Sequence, residues 1–422
     1  MRYFNWCFTF LVTCFILSCQ TEKSEKKTVL AIPVYGQSLA LGEEAIRITD
    51  FDSLTKQTNH HVLTENLDEE FGYLSETHFK QWMKKILHDR HRAFELSIYG
   101  MSEMVSKYLY AKGNGDSLII SIFPGGRGAT GISDLGKGSD AYKKFLDEIE
   151  TAYNKAQRRG WNFVVPAFCW MQGEDDIVWR KSPDYKRDLE TFQADLNRDI
   201  KSITKQTKDV KCICYQTNCL TLSKQFKAVN YHIRETYVPQ GQMELIRDNE
   251  MFMASGPTYP YSFEGERVHI DGVSQKRLGN MAGLAVIRLL ESKPGKGLIP
   301  EHFTISGDTV LVKFNVPSPP LVLDTVSVWK ADNFGFTVVD SGNTNIIQEL
   351  ILENDIIKLC CKKSPKGCKV RYAVNGKPGK SGYKFGPRGN LRDSQGIEQK
   401  VDILKKVYPL HNWCYQFDMI VN

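Results

Sequence analysis

Hydrophobic and polar positions follow two textures along this chain. From Thr28 to about Leu290, short apolar runs over Thr28–Tyr35, Ser117–Phe123 and Asn162–Trp170 read as strands, each running into a glycine-bearing or polar loop. Helical patterns cover Ala141–Arg158, Tyr185–Thr204 and Gln275–Leu290, the last with apolar residues at Leu278, Met281, Leu284, Ala285 and Ile287. Strand and helix in alternation predict a parallel sheet covered on both faces, a doubly wound α/β domain over residues 28–297. In that architecture ligands bind beyond the carboxyl ends of the strands, where Ser38, the Gly125–Gly131 loop and Glu174 all emerge. After Lys293-Pro294-Gly295-Lys296-Gly297 the pattern changes to β-type runs at Thr309–Phe314, Thr325–Trp329, Phe336–Val339, Ile356–Cys361 and Lys369–Val374. These predict a smaller β-sandwich-like domain over residues 298–422, with Ser381–Gln395 as a long loop.

The N-terminus has a different character. Arg2 precedes an apolar stretch, Phe8 to Leu17, too short to span a bilayer and readable as the core of a signal peptide over residues 1–19. Its end, Ile16-Leu17-Ser18-Cys19, resembles the lipobox of bacterial lipoproteins, which implies acylation of Cys19, export and a membrane anchor, with residues 20–27 as a polar tether. Of 11 cysteines, eight remain once Cys7 and Cys14 leave with the signal and Cys19 carries lipid. An even number in an exported protein permits disulfides without giving a pairing. The net charge of +6 is spread along the chain and supports no nucleic-acid partner.

Three separated segments carry candidate chemistry. Gly36-Gln37-Ser38 follows the first strand run, Trp170-Met171-Gln172-Gly173-Glu174 ends the third, and Glu266-Arg267-Val268-His269 precedes the last helix pattern. A serine hydroxyl is a weak nucleophile at neutral pH; an imidazole must take its proton and an acid must hold that imidazole in the useful tautomer. Ser38, an acid and His269 supply those parts. The segment is not the Gly-x-Ser-x-Gly nucleophile elbow, because position 40 is alanine. The glycine-rich Pro124–Gly131 loop can point backbone N–H groups at a small anionic oxygen, and it lacks the Lys-Ser ending of a phosphate-binding loop. The acids Glu174, Asp175 and Asp176 do not have the spacing of a calcium loop, and neither cysteine cluster, Cys212/Cys214/Cys219 or Cys360/Cys361/Cys368, has the paired spacing of a zinc site. No metal is expected.

Together, Gly36-Gln37-Ser38, Gly128-Ala129-Thr130-Gly131-Ile132, Trp170-x-Gln-Gly-Glu174 and the His269 loop followed by Leu278-Gly279 resemble the carbohydrate-esterase branch of the SGNH (GDSL-like) hydrolases, which contains sialate O-acetylesterases and acetylxylan esterases. The resemblance covers roughly residues 28–290. It implies a three-layer α/β/α fold, hydrolysis of acetyl esters on a glycan substrate, and no cofactor. It also implies Ser38 as nucleophile, His269 as base, and backbone N–H groups of Ser38 and Gly128 in the oxyanion hole. Two acids compete for the third role: Glu174 of the Gln-Gly-Glu motif, which is favoured, and Glu266, three residues before the histidine. Asp175 and Asp176 cannot donate when ionised, so the side-chain oxyanion donor falls to Gln172. Leu39 and Met171 depart from the family pattern and are expected to alter the pocket wall. Trp179, Tyr259 and Tyr261 are aromatic residues in predicted loops that could stack on sugars. The same fold without chemistry would give a glycan-binding lipoprotein, and the same triad with another acyl group a lipase or thioesterase.

Overall fold

The computed structural model describes residues 26–58, 62–65, 71–73, 94–115, 117–179, 182–219 and 236–422. The signal segment and Cys19 lie outside them. Strand β1 (Thr28–Ala31) continues past Pro33 into β2 (Val34–Gly36). Likewise β5 (Leu118–Ile122) continues into β6 (Pro124–Gly126), and β7 (Asn162–Val164) past Pro166 into β8 (Ala167–Met171). Proline has no N–H to give a ladder, so the pairing is interrupted there. Bonds from Ile32 N–H to the Ser121 carbonyl (2.9 Å), Val34 N–H to Phe123 (3.1 Å) and Cys169 N–H to Pro33 (2.8 Å) carry the chain paths across the gap. With β3 (Val62–Glu65), β4 (Phe71–Tyr73), β9 (Lys211–Gln216) and β10 (Phe252–Pro257), the strands form two five-stranded halves, β4-β3-β5-β1-β7 and β10-β9-β8-β2-β6. Every pairing is parallel except β3–β4.

Among the described residues, seven helices surround this sheet: α1 (Phe51–Gln57), α2 (Ser97–Ala111), α3 (Asp140–Arg158), α4 (Glu174–Trp179), α5 (Tyr185–Thr204), α6 (Tyr237–Asp248) and α7 (Gly272–Leu290). On one face Tyr35 and Trp170 pack against Phe145 of α3 and Phe192 of α5, with ring centres 4.5–6.0 Å apart. On the other, Cys169 meets Met101 of α2, the neighbour of α7. Helices α2 and α7 touch backbone to backbone: a Cβ on Gly279 would sit 1.9 Å from the Ser97 carbonyl oxygen. This is the doubly wound, three-layer arrangement that the alternating pattern predicts.

Beyond Leu290 the strands are antiparallel. Ile299–Ser306, Thr309–Asn315, Ile356–Cys361 and Ile347–Glu353 form one sheet, and Phe336–Val339, Lys369–Tyr372 and Phe417–Ile420 another. Alternate residues Val310, Val312 and Phe314 point inward, and Phe314 meets Phe336 and Phe417 across the interior. Two details differ from the sequence pattern. Thr325–Trp329 is a series of turns, because the Asp324 carboxylate accepts from the Val326 (2.9 Å) and Ser327 (2.8 Å) N–H groups and bends the chain. Ser381–Gln395 contains a helical turn at Gly382–Phe385 and the short strand Leu391–Arg392. The β-rich part is bonded to the α/β part through Gln216 Nε2 to the Gln416 carbonyl (2.9 Å), Asn218 Nδ2 to Gln416 Oε1 (2.6 Å) and Gly256 N–H to Tyr415 Oη (2.7 Å). The eight cysteines among the described residues are thiols.

Candidate active site

Ser38 is placed by an unusually close approach of two paired parallel strands. A Cβ on Gly36, the last residue of β2, would lie 2.0 Å from the Met171 carbonyl oxygen, so only glycine lets β2 approach β8 here. Gln37 N–H then donates to that carbonyl (3.0 Å), while Gln37 Oε1 accepts from Asp175 N–H (3.3 Å). The chain next folds back on itself, with Glu43 N–H donating to the Ser38 carbonyl (3.0 Å) and Ala45 N–H to Gly42 (3.0 Å). Gly42 (φ 66°) and Glu44 (φ 65°) are left-handed, a conformation that costs a non-glycine residue about 1–2 kcal/mol. The reversal brings Glu44 back beside Ser38.

His269 arrives on the connection between β10 and α7. Its loop is closed by Glu264 N–H donating to the His269 carbonyl (2.7 Å) and by Asp271, which caps α7 by accepting from Ser274 N–H (2.8 Å). Nε2 of His269 lies 2.8 Å from Ser38 Oγ, and Nδ1 lies 2.8 Å from Glu44 Oε2. An ionised carboxylate only accepts, so Nδ1 carries the proton and Nε2 is free to accept from the serine. Ser38 is 5% exposed, whereas the Glu44 side chain is 55% exposed.

The two acids singled out from sequence lie elsewhere. Glu174 is buried at the start of α4 and accepts from Tyr215 Oη at 2.6 Å. Burial pushes its carboxyl above the usual range, opposed by the hydrogen bonds of Tyr215 and Thr217 and by the nearby charge of His269. Glu266 pairs with Lys380 Nζ at 2.7 Å. The carboxylate on the imidazole is thus Glu44, which the strand and motif pattern does not single out.

Gln172 also differs from expectation. Its Nε2 donates to Asp176 Oδ2 (2.5 Å) and to the Thr130 carbonyl (3.2 Å), and its Oε1 accepts from Tyr185 Oη (2.9 Å). Both amide hydrogens are committed, so a donor role toward an oxyanion would first require breaking these bonds. Asp176 in turn accepts from Ile132 N–H and Ser182 N–H, both at 2.9 Å, and so fastens the glycine-rich loop to α4. That loop brings Gly128 against the serine: a Cβ there would stand 3.9 Å from Ser38 Cβ and 3.2 Å from Glu43 Oε2. Leu39 and Met171 are core residues, with Met171 Sδ accepting from Ser97 Oγ at 3.2 Å, so these departures alter packing rather than a pocket wall. Tyr259 and Tyr261 are buried, Tyr259 bonding the Cys414 carbonyl (2.9 Å), and Trp179 is 54% exposed.

A family model described as carbohydrate esterase, sialic acid-specific acetylesterase, matches residues 35–288, more than half of the chain. A carbohydrate acetylesterase from Xanthomonas citri, 12% identical, superposes over 93% of this chain and 80% of its own with a TM-score of 0.52, which establishes a common fold. A protein from Arabidopsis thaliana (14% identical, 62% and 98% covered, TM-score 0.44) and NanS (12%, 64% and 99%, 0.41) are also similar. No curated protein matches the chain by sequence. The chain belongs to the sialic acid-specific acetylesterase family of carbohydrate esterases, and with it to the ester hydrolases of the SGNH-like α/β fold.

Proposed function

We propose that this protein is a serine esterase that removes O-acetyl groups from a glycan through an acetyl-enzyme. The observation that carries the reading is the 2.8 Å contact of Ser38 Oγ with His269 Nε2, with Glu44 on the opposite ring nitrogen. Ser38 Oγ attacks the acetyl carbonyl carbon as its proton passes to Nε2, and the Glu44 carboxylate steadies the imidazolium that results. The carbonyl electrons move onto oxygen, which the backbone N–H groups of Ser38 and Gly128 are suited to receive. Collapse breaks the ester bond, and the sugar oxygen leaves with the proton from Nε2. Water, deprotonated by His269, then attacks the acetyl-enzyme and releases acetate, restoring Ser38.

The test is Ser38→Ala assayed on nitrophenyl acetate and on acetylated sugars. Turnover is expected to fall by at least about 10³-fold with the fold intact, since loss of a triad nucleophile costs far more than loss of one oxyanion donor. Retained turnover would overturn the mechanism. Export and anchoring through lipid on Cys19 belong to the same reading, and metabolic labelling with a fatty acid in wild type against Cys19→Ala tests them.

A further inference from the structure

The His269 loop is covered by a segment of the β-rich part that carries an unusual surface. Lys380 Nζ bonds the Glu266 carboxylate (2.7 Å), Ser381 N–H donates to the Glu266 carbonyl (2.8 Å), and Tyr383 N–H donates to the Tyr261 carbonyl (3.2 Å). Gly382, with φ 83°, is pressed onto the same loop, where a Cβ would stand 2.8 Å from the Tyr261 oxygen. Glu266 is three residues from His269, at most about 11 Å of extended chain. This segment therefore borders the candidate active site.

On its outer side stands Trp329, 47% exposed. It is fixed rather than loose: its N–H donates to the Tyr383 carbonyl (3.1 Å), its own carbonyl accepts from Arg388 Nε (2.9 Å), and its ring meets Phe385 edge to face at 5.3 Å. Cations line the rings, with Lys384 Nζ 5.8 Å from the Trp329 centre and Lys377 Nζ 4.3 Å from that of Phe385. Residues 376–392 hold Lys377, Lys380, Lys384, Arg388 and Arg392 and no acid. Lys380 pairs with Glu266, Arg392 with Asp324, and Arg388 feels Asp332, whereas Lys377 and Lys384 rest against rings.

We infer that Trp329, Phe385, Lys377 and Lys384 form a subsite for an anionic, uronic-acid-containing glycan chain that extends beyond the acetylated sugar. A half-exposed indole offers a flat apolar face to a sugar ring, and the Lys384 ammonium beside it, with that of Lys377 beside the adjoining Phe385, complements carboxylates, a pairing a neutral glycan cannot satisfy. That this chain belongs to a substrate rests on the esterase reading, but its binding does not, so the test separates them. Full-length protein is run in native gels containing polygalacturonate or, as the neutral control, dextran, and nitrophenyl acetate turnover is measured alongside.

Retardation by polygalacturonate alone, weakening as salt is raised, is the expected result. It should drop at least tenfold in Trp329→Ala and in a Lys377→Gln/Lys384→Gln double variant, recover partly in Trp329→Phe, and leave nitrophenyl acetate turnover within twofold. Ser38→Ala should bind as wild type does, so loss of the esterase reading would leave this result standing. No retardation of the wild type, equal retardation by dextran, or undiminished retardation of the folded lysine double variant would each overturn the inference.

Discussion

Glu44 Oε2 lies 2.8 Å from His269 Nδ1, although the two residues are 225 positions apart. The contact exists because two left-handed residues, Gly42 and Glu44, turn the chain after Ser38 back toward the serine. A carboxylate in this place fixes the tautomer in which Nε2 can accept a proton. Because the Glu44 side chain is more than half exposed, solvent screens its charge, and its effect should be smaller than that of a fully buried triad acid. Glu44→Gln is expected to lower kcat about 10²-fold with little change in KM or stability. Glu266→Gln, which removes the ion pair with Lys380, should stay within about threefold. Steady-state kinetics of the two variants on one acetyl ester decide this, and a larger loss in Glu266→Gln would reverse the assignment.

Asp176 binds the glycine-rich loop to α4 through three acceptor contacts, from Ile132 N–H, Ser182 N–H and Gln172 Nε2. It is fully buried, so removing its carboxylate leaves donors without partners, at a cost of about 2–4 kcal/mol. Asp176→Ala should lower the urea midpoint accordingly. The same change frees the Thr130–Ile132 stretch that follows Gly128, so kcat should drop beyond what the unfolded fraction explains. Unaltered specific activity in the folded fraction would show that the loop holds its shape without this anchor.

Much of this site is legible in the chain, for definable reasons. Ser38 and Gly128 follow strand ends, and a strand end is marked by an apolar run meeting glycine, a signal that survives without any tertiary information. His269 is legible as the histidine two residues before Asp271, the cap of α7. Glu44 is not, because its place depends on a turn whose geometry is set by Gly42 packing 2.3 Å (at an added Cβ) from the Glu95 carbonyl oxygen. The signal available was the punctuation Gly42-Glu43-Glu44 so soon after the serine. The same limit explains Thr325–Trp329, where β-type residues are overruled by the side chain of Asp324. The commitment of the Gln172 amide is not legible either, because its partners, Asp176 and Thr130, come from elements that meet only in the folded molecule.

His411 gives the β-rich part a pH dependence of known sign. Its Nδ1 accepts from Gly396 N–H (3.1 Å), and burial, aided by the charge of Arg392, pulls its pKa down to about 4 from 6.5. The unfolded chain binds the proton first, so stability is fully present above pH 6.5 and is lost as pH falls toward 4. The loss is on the order of 3 kcal/mol. Carboxylates titrate over the same range, so the readout is the difference from His411→Gln. The wild type should lose more stability than the variant between pH 6.5 and 4, and parallel curves would remove His411 from the account.

Two glycines beside the serine should respond in opposite ways to the same substitution. At Gly36 a methyl group would collide with the Met171 carbonyl 2.0 Å away, and backbone on both sides leaves no room to yield. Gly36→Ala is therefore expected to prevent recovery of folded protein. At Gly128 the new methyl meets only the end of the Glu43 side chain at 3.2 Å, which can rotate, and then Ser38 Cβ at 3.9 Å. Gly128→Ala should fold, with stability changed by under about 1 kcal/mol. The methyl would nonetheless crowd the space where an acetyl oxygen must approach the Gly128 N–H, so kcat/KM should fall about tenfold or more. Thermal melts and ester kinetics on the two proteins separate these outcomes, and a fully active Gly128→Ala would place the oxyanion away from this loop.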